Sequence, residues 1–165
     1  MTTRREFAMI AAAGVTAPLV LSGATAAQGA GENDGQGGPQ LDRAQVEAWL
    51  AAYGTAWVER DADKAAALFS KDATYHEKAF EPVMTGQDAI RDYWQTVTAD
   101  QRDITFRSTL WSVSDTVAIA HWAAELTLAS AGKQARLDGV FHLTFATGSD
   151  PLVCTALREW WFFAM

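Results

Sequence analysis

Apolar residues between positions 42 and 60 recur every three or four residues, a spacing that places them on one face of an α-helix. Asp42 precedes this pattern and can cap the helix, because its carboxylate accepts hydrogen bonds from the free N–H groups of the first turn. The pattern therefore predicts a helix with a buried, largely aromatic face. The residues on this face are Val46, Trp49, Leu50, Tyr53, Ala56 and Trp57.

Two further helices and a short strand are predicted before residue 100. Asp61 or Asp63 can cap a second, short helix that runs to Phe69. Residues 73–76 are predicted to form a strand, and residues 85–86 open a third helix. One face of the third helix carries Ile90, Tyr93, Trp94 and Val97.

The remaining chain has the pattern of β structure. Four segments are rich in branched and aromatic residues and are separated by turn signals. The segments are residues 104–113, 116–129, 134–146 and 152–163. Successive strands joined by short turns pair antiparallel. Helices followed by strands predict an α+β domain, with three helices packed on a curved, mainly antiparallel sheet.

The first 26 residues have the pattern of an export signal. An apolar run from Phe7 to Leu21 is followed by a small-residue cleavage site at 24–26. The stretch Thr3-Arg4-Arg5-Glu6-Phe7 resembles the twin-arginine signal, which implies export of the folded protein to the periplasm or the extracellular space. The run is shorter than the roughly 20 residues that cross a bilayer, so no stable membrane anchor is expected.

Residues 27–40 are rich in glycine and are predicted to be a flexible linker, which leaves 41–165 as a single folded domain. The formal net charge is −7 and no cluster of basic residues occurs. This argues against a nucleic-acid partner, since phosphate binding needs clustered Lys and Arg. The single cysteine, Cys154, excludes an internal disulfide, and the three histidines lack metal-site spacing. No metal ion or other cofactor is predicted.

Motifs spread over the domain resemble the SnoaL-like members of the nuclear transport factor 2-like superfamily. They are Tyr53…Trp57, ALFSKDAT, TGQDAIRDYW, LDGVFHLTF and LREWW. The resemblance implies a cone-shaped barrel, in which the bent sheet surrounds an apolar cavity closed by the first helix. Relatives of this kind include isomerases, dehydratases, epoxide hydrolases, polyketide cyclases and carriers without catalysis. The fold therefore leaves the function open.

The N-terminal half is similar in its spacing to ketosteroid isomerase. The similarity places the isomerase's oxyanion-binding tyrosine at Tyr53 and its carboxylate base at Glu77. Such a base removes a proton from carbon while hydrogen-bond donors hold the resulting enolate. The second donor of the isomerase, a protonated carboxylic acid, falls on Phe141. Asp138 can replace it only if a β-bulge at Gly139 turns its side chain toward the cavity.

Other residues are candidates for the cavity wall or for auxiliary roles. His121 lies among small residues in a strand and, with Asp138, is a candidate auxiliary acid or base. The predicted ligand-binding residues are Trp57, Tyr75, His76, Phe80, Trp94 and Phe141. Only one of Tyr75 and His76 can face the cavity, because neighbours in a strand point to opposite faces. The structural alternatives are a solvated Glu77 paired with Lys78, and packing roles for Tyr53 and His121.

The C-terminal segment LREWWFFAM has apolar residues on both faces of its strand. One face is expected to fill the cone, and the other would expose an aromatic patch on a monomer. Such patches usually mark an interface, so a homodimer is predicted. The alternative is that the first helix or the linker covers the patch.

Two functions remain open from the sequence. The first is an exported, cofactor-independent acid–base enzyme that acts on a small hydrophobic compound as an isomerase, cyclase, dehydratase or epoxide hydrolase. The second is a protein without catalysis that uses the same cavity to carry a small hydrophobic ligand, or that acts as a homodimeric interaction module.

Overall fold

The computed structural model describes residues 40–165. The predicted export signal at 1–26 and nearly all of the predicted linker at 27–40 lie outside this part of the chain. The helices are α1 (Arg43–Glu59), α2 (Ala62–Ala67) and α3 (Gln87–Thr98). The strands are β1 (Phe69–His76), β2 (Met84–Thr85), β3 (Gln101–Ser114), β4 (Val117–Leu128), β5 (Lys133–Ala146) and β6 (Val153–Ala164). No helix within 40–165 has the length and apolar character needed to cross a membrane.

The six strands form one sheet in the order β2-β1-β6-β5-β4-β3. Strands β3 to β6 are an antiparallel meander, as the four turn-separated segments predicted. Strand β1 pairs parallel with β6 and antiparallel with β2. Within the described residues β2 and β3 are edge strands, so hydrogen bonding there does not close the sheet into a complete barrel. The prediction of an α+β fold with three helices on a curved, mainly antiparallel sheet is confirmed.

Side-chain caps define the start of the first two helices. The Asp42 carboxylate accepts a hydrogen bond of 2.9 Å from the Ala44 N–H at the start of α1. Asp61, rather than Asp63, caps α2 by accepting from the Lys64 N–H at 2.9 Å. Asp63 instead pairs with Arg91 of α3 and so ties the two helices together.

The second helix is shorter and the first strand longer than predicted. Helix α2 ends at Ala67, and Phe69 already pairs with Cys154 of β6. The Leu68 carbonyl accepts hydrogen bonds of 3.0 Å from the Cys154 N–H and from the Trp49 indole. These hydrogen bonds to residues distant in sequence override the local helical propensity. The apolar spacing of the segment contains no information about them.

Helix α1 packs its aromatic face on the inner face of the sheet, which is the face covered by α1 and α3. Tyr53 contacts Phe141 edge-on, and Trp57 contacts Trp122, with ring centroids 5.2 and 5.5 Å apart. Aromatic side chains of this size bury about 150–250 Å² each and dominate core energetics. Gly54 permits the close approach of α1, since a Cβ there would lie 2.5 Å from the Phe106 ring.

Candidate functional site

A cavity of about 130 Å³ lies between α1, α3 and the inner face of the sheet. An apolar cavity of about 150 Å³ accommodates benzene, so this space matches one small ring. Aromatic side chains dominate its wall: Tyr53, Trp57, Tyr75, Tyr93, Trp94, Trp122, Trp161 and Phe163. The polar members of the wall include Glu77, Gln101 and Glu159.

A buried chain of hydrogen bonds runs along one side of the cavity. The Tyr53 and Tyr75 hydroxyl oxygens are 2.8 Å apart, and the Tyr75 hydroxyl lies 2.9 Å from Glu159 Oε1. Glu159 is only 4% exposed, and both tyrosines are buried more deeply. The chain therefore joins α1, β1 and β6 inside the core.

Burial favours the protonated, neutral form of Glu159. Burial raises its pKa to about 8, because desolvation disfavours the charged form. The hydrogen bond with Tyr75 and the charge of Lys78 lower that pKa, while the negative charge of Glu77 raises it. A carboxylic acid kept protonated in this way can donate a hydrogen bond.

The three tyrosines at the cavity also remain protonated. Burial raises the pKa of Tyr53, Tyr75 and Tyr93 well above the usual value, and the charge of Glu159 is the next contribution for each. Each hydroxyl therefore carries one hydrogen over the whole physiological range.

Glu77 lies at the mouth of the cavity, one residue beyond the end of β1. Its side chain is 16% exposed, and its Oε1 is 3.5 Å from the Lys78 ammonium. The same ammonium lies 5.5 Å from the centroid of the Trp161 ring. Glu77 thus lines the cavity and also pairs with Lys78, but it is not the solvated side chain of the structural alternative. Its role as a base stays a prediction.

Two buried indole N–H groups belong to the same wall. Within residues 40–165, neither Trp94 Nε1 nor Trp122 Nε1 has a hydrogen-bond partner. Another of the four indoles in the wall, that of Trp57, donates to Gln101 Oε1 at 2.7 Å. A buried donor without a partner costs about 1–3 kcal/mol. A ligand oxygen that accepted from either group would recover part of that cost.

The structure corrects the expected position of His121 and Asp138. The β4–β5 pairing runs without a register shift, so there is no bulge at Gly139. Regular alternation then places both side chains on the outer face, opposite to Trp122. There, His121 Nε2 and Asp138 Oδ2 are 3.0 Å apart, and the imidazole stacks on Trp111. Neither residue reaches the cavity.

Three predicted ligand-binding residues also lie away from the cavity. Phe80 is 103% exposed because the β1–β2 loop holds it clear of every other element. His76 points away from Tyr75, as the alternation along β1 requires. Phe141 is fully buried behind Tyr53 and Trp122 and belongs to the core. The other three, Trp57, Tyr75 and Trp94, line the cavity.

The family model of the SnoaL-like domain matches residues 46–149. The chain belongs to the SnoaL-like domain family. This family is part of the nuclear transport factor 2-like superfamily, which agrees with the helices, the sheet and the cavity described above. Among curated proteins, none matches the chain by sequence.

Solved structures share the fold of this SnoaL-like protein at low sequence identity. One of them is SalBIII, an epoxide hydrolase/cyclase-like enzyme with a role in pyran ring formation in salinomycin. Its TM-score is 0.64 at 20% sequence identity, and the match covers 75% of this chain and 98% of SalBIII. A type 2 hexachlorocyclohexane dehydrochlorinase has a TM-score of 0.62 at 15% sequence identity, and the match covers 74% of this chain and 86% of that protein. A ketosteroid isomerase-like protein from Erwinia carotovora atroseptica has a TM-score of 0.57 at 20% sequence identity, and the match covers 70% of this chain and 92% of that protein.

Glu159 is the residue of this SnoaL-like site that the sequence analysis missed. The isomerase similarity placed a protonated acid at Phe141, and the β5–β6 register pairs Phe141 directly with Glu159. The buried carboxyl group of this protein therefore lies on β6, next to the position on β5 that the similarity indicated. Its signal in the sequence is the alternation of Leu157, Glu159 and Trp161, which puts the carboxyl group on the same face as two apolar side chains.

Gly139 packs against two tryptophans that line the cavity. The sheet register places it across from Trp122 on β4 and from Trp161 on β6. A Cβ at this position would lie 2.8 Å from Trp122 Cε2 and 2.7 Å from the Trp160 carbonyl oxygen. The missing side chain therefore leaves the space that the two indoles occupy.

Because burial raises the pKa of Glu159, we predict that the protein becomes less stable as pH rises. This pKa is about 8 when folded against an ordinary value of 4.5, so only the folded state keeps the proton between these values. The free energy of unfolding should decrease as pH rises from about 4.5 to about 8, by at most about 5 kcal/mol. Urea denaturation at several pH values measures this decrease.

The variant Glu159→Gln should remove most of this pH dependence, because the amide does not ionise. Glu81→Gln, at an exposed position in the β1–β2 loop, is the matched control and should keep the wild-type slope. An unchanged slope in Glu159→Gln would show that Glu159 is already ionised in the folded protein.

Proposed function

We propose that this SnoaL-like protein is a cofactor-independent acid–base enzyme whose substrate is a small apolar ring compound with a carbonyl oxygen. The observation that carries the proposal is the pairing of two carboxyl groups in one apolar cavity. The charge of Glu77 raises the pKa of Glu159, and burial keeps Glu159 neutral. A carboxyl group that its surroundings keep protonated, with a second carboxyl group in the same cavity, is a feature of known acid–base sites.

In the proposed reaction, Glu77 is the base and Tyr53 is the hydrogen-bond donor. Glu77 takes a proton from the carbon next to the carbonyl group. The electron pair of the broken C–H bond forms a C=C bond, and the π electron pair of the carbonyl group moves to its oxygen. Tyr53 donates a hydrogen bond to that oxygen and stabilises its developing charge. Glu77 can exchange this proton with water and return a hydrogen to the same carbon, which gives exchange. Where a C=C bond lies next to that carbon, return of the hydrogen to its far end gives isomerisation. The carbonyl group re-forms in either case.

The size and polarity of the cavity support this substrate class. A volume of about 130 Å³ suits one ring, and a largely aromatic wall favours an apolar ring over a charged compound. The unpartnered indoles of Trp94 and Trp122 offer donors for a substrate oxygen. Neighbouring structures named as a cyclase-like enzyme and a dehydrochlorinase support catalysis as the use of this fold.

Proton exchange on a simple ketone tests the proposal. Cyclohexanone in D₂O should exchange the protons next to its carbonyl faster with the protein than with buffer, as followed by NMR. Glu77→Gln should lose about 10²–10⁴ of this acceleration, because a positioned base contributes that much. Tyr53→Phe should lose less, since it removes one hydrogen-bond donor and leaves the base in place.

Glu81→Gln is the control for the exchange experiment, because it removes an exposed carboxylate from the same loop. It should exchange protons at the wild-type rate. Exchange that persists in Glu77→Gln would rule out Glu77 as the base. A wild-type protein that binds the ketone without exchanging its protons would favour the carrier function.

We also propose that the protein is a homodimer that pairs through the outer face of the sheet. This face exposes Trp111, Trp160 and Phe162, the last with 81% of its surface accessible. Exposed aromatic groups of this size usually mark an interface. The face also carries Asp138 and Arg158, whose opposite charges let two copies meet although the chain is acidic overall.

Light scattering after size-exclusion chromatography tests the dimer. Phe162→Lys should give a monomer at micromolar concentration, because it places a charge in the centre of the proposed interface. Val58→Lys changes an exposed apolar residue of α1 and should leave the dimer intact. A wild-type protein that is monomeric at this concentration would contradict the proposal.

Export of the folded protein is the third part of the proposal. Its support is the twin-arginine pattern at Arg4 and Arg5, together with a single cysteine, so that folding needs no disulfide. Replacing both arginines by lysine should retain the protein inside the cell, as measured by fractionation and immunoblotting. Export that continues undiminished in this variant would contradict this route.

A further inference from the structure

The chain from Tyr53 through Tyr75 to Glu159 has a limited number of hydrogens. Each tyrosine contributes one, and Glu159 contributes one only when it is protonated. The two links have oxygen–oxygen distances of 2.8 and 2.9 Å, so each link holds one hydrogen. The protonation of Glu159 therefore determines whether a hydrogen is left over at the cavity end of the chain.

With Glu159 ionised, both tyrosine hydrogens are committed within the chain. A carboxylate only accepts, so Tyr75 must donate to Glu159. The Tyr75 oxygen then accepts from Tyr53, whose single hydrogen points along the chain and away from the cavity. In this state Tyr53 presents a lone pair to the cavity and repels an oxygen of the ligand.

With Glu159 protonated, the chain can run in the opposite direction. The carboxyl group donates to Tyr75, and Tyr75 donates to Tyr53. The hydrogen of Tyr53 is then free for an acceptor in the cavity. A ligand oxygen at Tyr53 selects this arrangement, because every hydrogen of the chain is then used.

We propose that Glu159 is a positioning residue that sets the direction of this hydrogen-bond chain, so that Tyr53 donates to a ligand oxygen only while Glu159 carries its proton. The inference rests on the proposed function in one respect, which is the placement of the ligand oxygen at Tyr53. The reversal itself rests on the two oxygen–oxygen distances and on the number of hydrogens that the three side chains carry.

The groups around Glu159 determine the pH at which the chain of hydrogen bonds reverses its direction. Tyr75 of β1 contacts the carboxyl group directly, and Tyr53 of α1 follows it in the chain. Glu77 and Lys78, beyond the end of β1, act on its pKa in opposite directions. Tyr93 of α3 is close enough for the charge of Glu159 to raise its own pKa. Donation by Tyr53 is therefore present below the Glu159 pKa of about 8 and is lost above it.

The tyrosine content makes a ligand-free test direct. The protein has three tyrosines, and all three are Tyr53, Tyr75 and Tyr93 of this cavity. Protein labelled with ¹³C at the tyrosine Cζ atom should give three resonances, assigned by single Tyr→Phe variants. As pH rises through about 8, the Tyr53 and Tyr75 resonances should shift together with one midpoint. Phenol ionisation does not interfere, because burial raises the pKa of both groups.

Two variants make the NMR result decisive. Glu159→Gln should abolish the shared shift, because the amide keeps a donor at every pH. Glu77→Gln should keep the shift but move its midpoint to lower pH, since the charge of Glu77 raises the Glu159 pKa. A Tyr53 resonance that does not move, or that moves equally in Glu159→Gln, would overturn the inference.

Binding of acetophenone provides the second arm, because this ketone stays neutral across the pH range. Wild-type affinity should fall roughly fivefold to tenfold above the midpoint, the value of one neutral hydrogen bond, while Glu159→Gln should bind equally at both pH values. Equal pH dependence in both proteins would overturn the inference. If the NMR shifts occur and acetophenone does not bind at any pH, the chain direction is upheld and the proposed substrate class fails.

Discussion

The hydrogen bond between Tyr53 and Tyr75 links α1 to β1 inside the core, and Glu159 extends that link to β6. A buried polar group without a partner is costly, so these three side chains can be buried only together. Their shared burial fixes the helix relative to the two parallel strands. Helix α1 is therefore held at a distance from the sheet that leaves the small cavity beside the chain of hydrogen bonds.

The same burial gives the cavity its chemistry. Water is largely excluded from Glu159, and a carboxyl group in such a place holds its proton. Glu77 is only one residue past the strand that carries Tyr75, yet it reaches the mouth, where Lys78 accompanies it. The two carboxyl groups thus have different surroundings, because Glu159 is enclosed by strands and Glu77 is partly exposed. This difference follows from the fold and requires no bound group.

Much of this arrangement could be predicted from the sequence. The apolar spacing of α1 and the turn signals between β3 and β6 define the elements, and the similarity in spacing brings Tyr53 and Glu77 to one cavity. Glu159 could not be placed, because its role depends on parallel pairing with a strand about 80 residues earlier. Asp138 faces outward because the bulge on which its role depended does not occur, and His121 faces outward because its neighbour Trp122 faces the cavity. Phe80 lies in a loop, for which periodicity gives no direction.

Neutron diffraction from a crystal grown in D₂O near neutral pH tests the central claim most directly, because it locates individual deuterium atoms. The account predicts a deuterium on the Glu159 carboxyl group and a Tyr53 deuterium that points into the cavity once a ketone is bound. A bare Glu159 carboxylate, with the deuterium of Tyr75 directed at it and that of Tyr53 directed at Tyr75, would contradict the account.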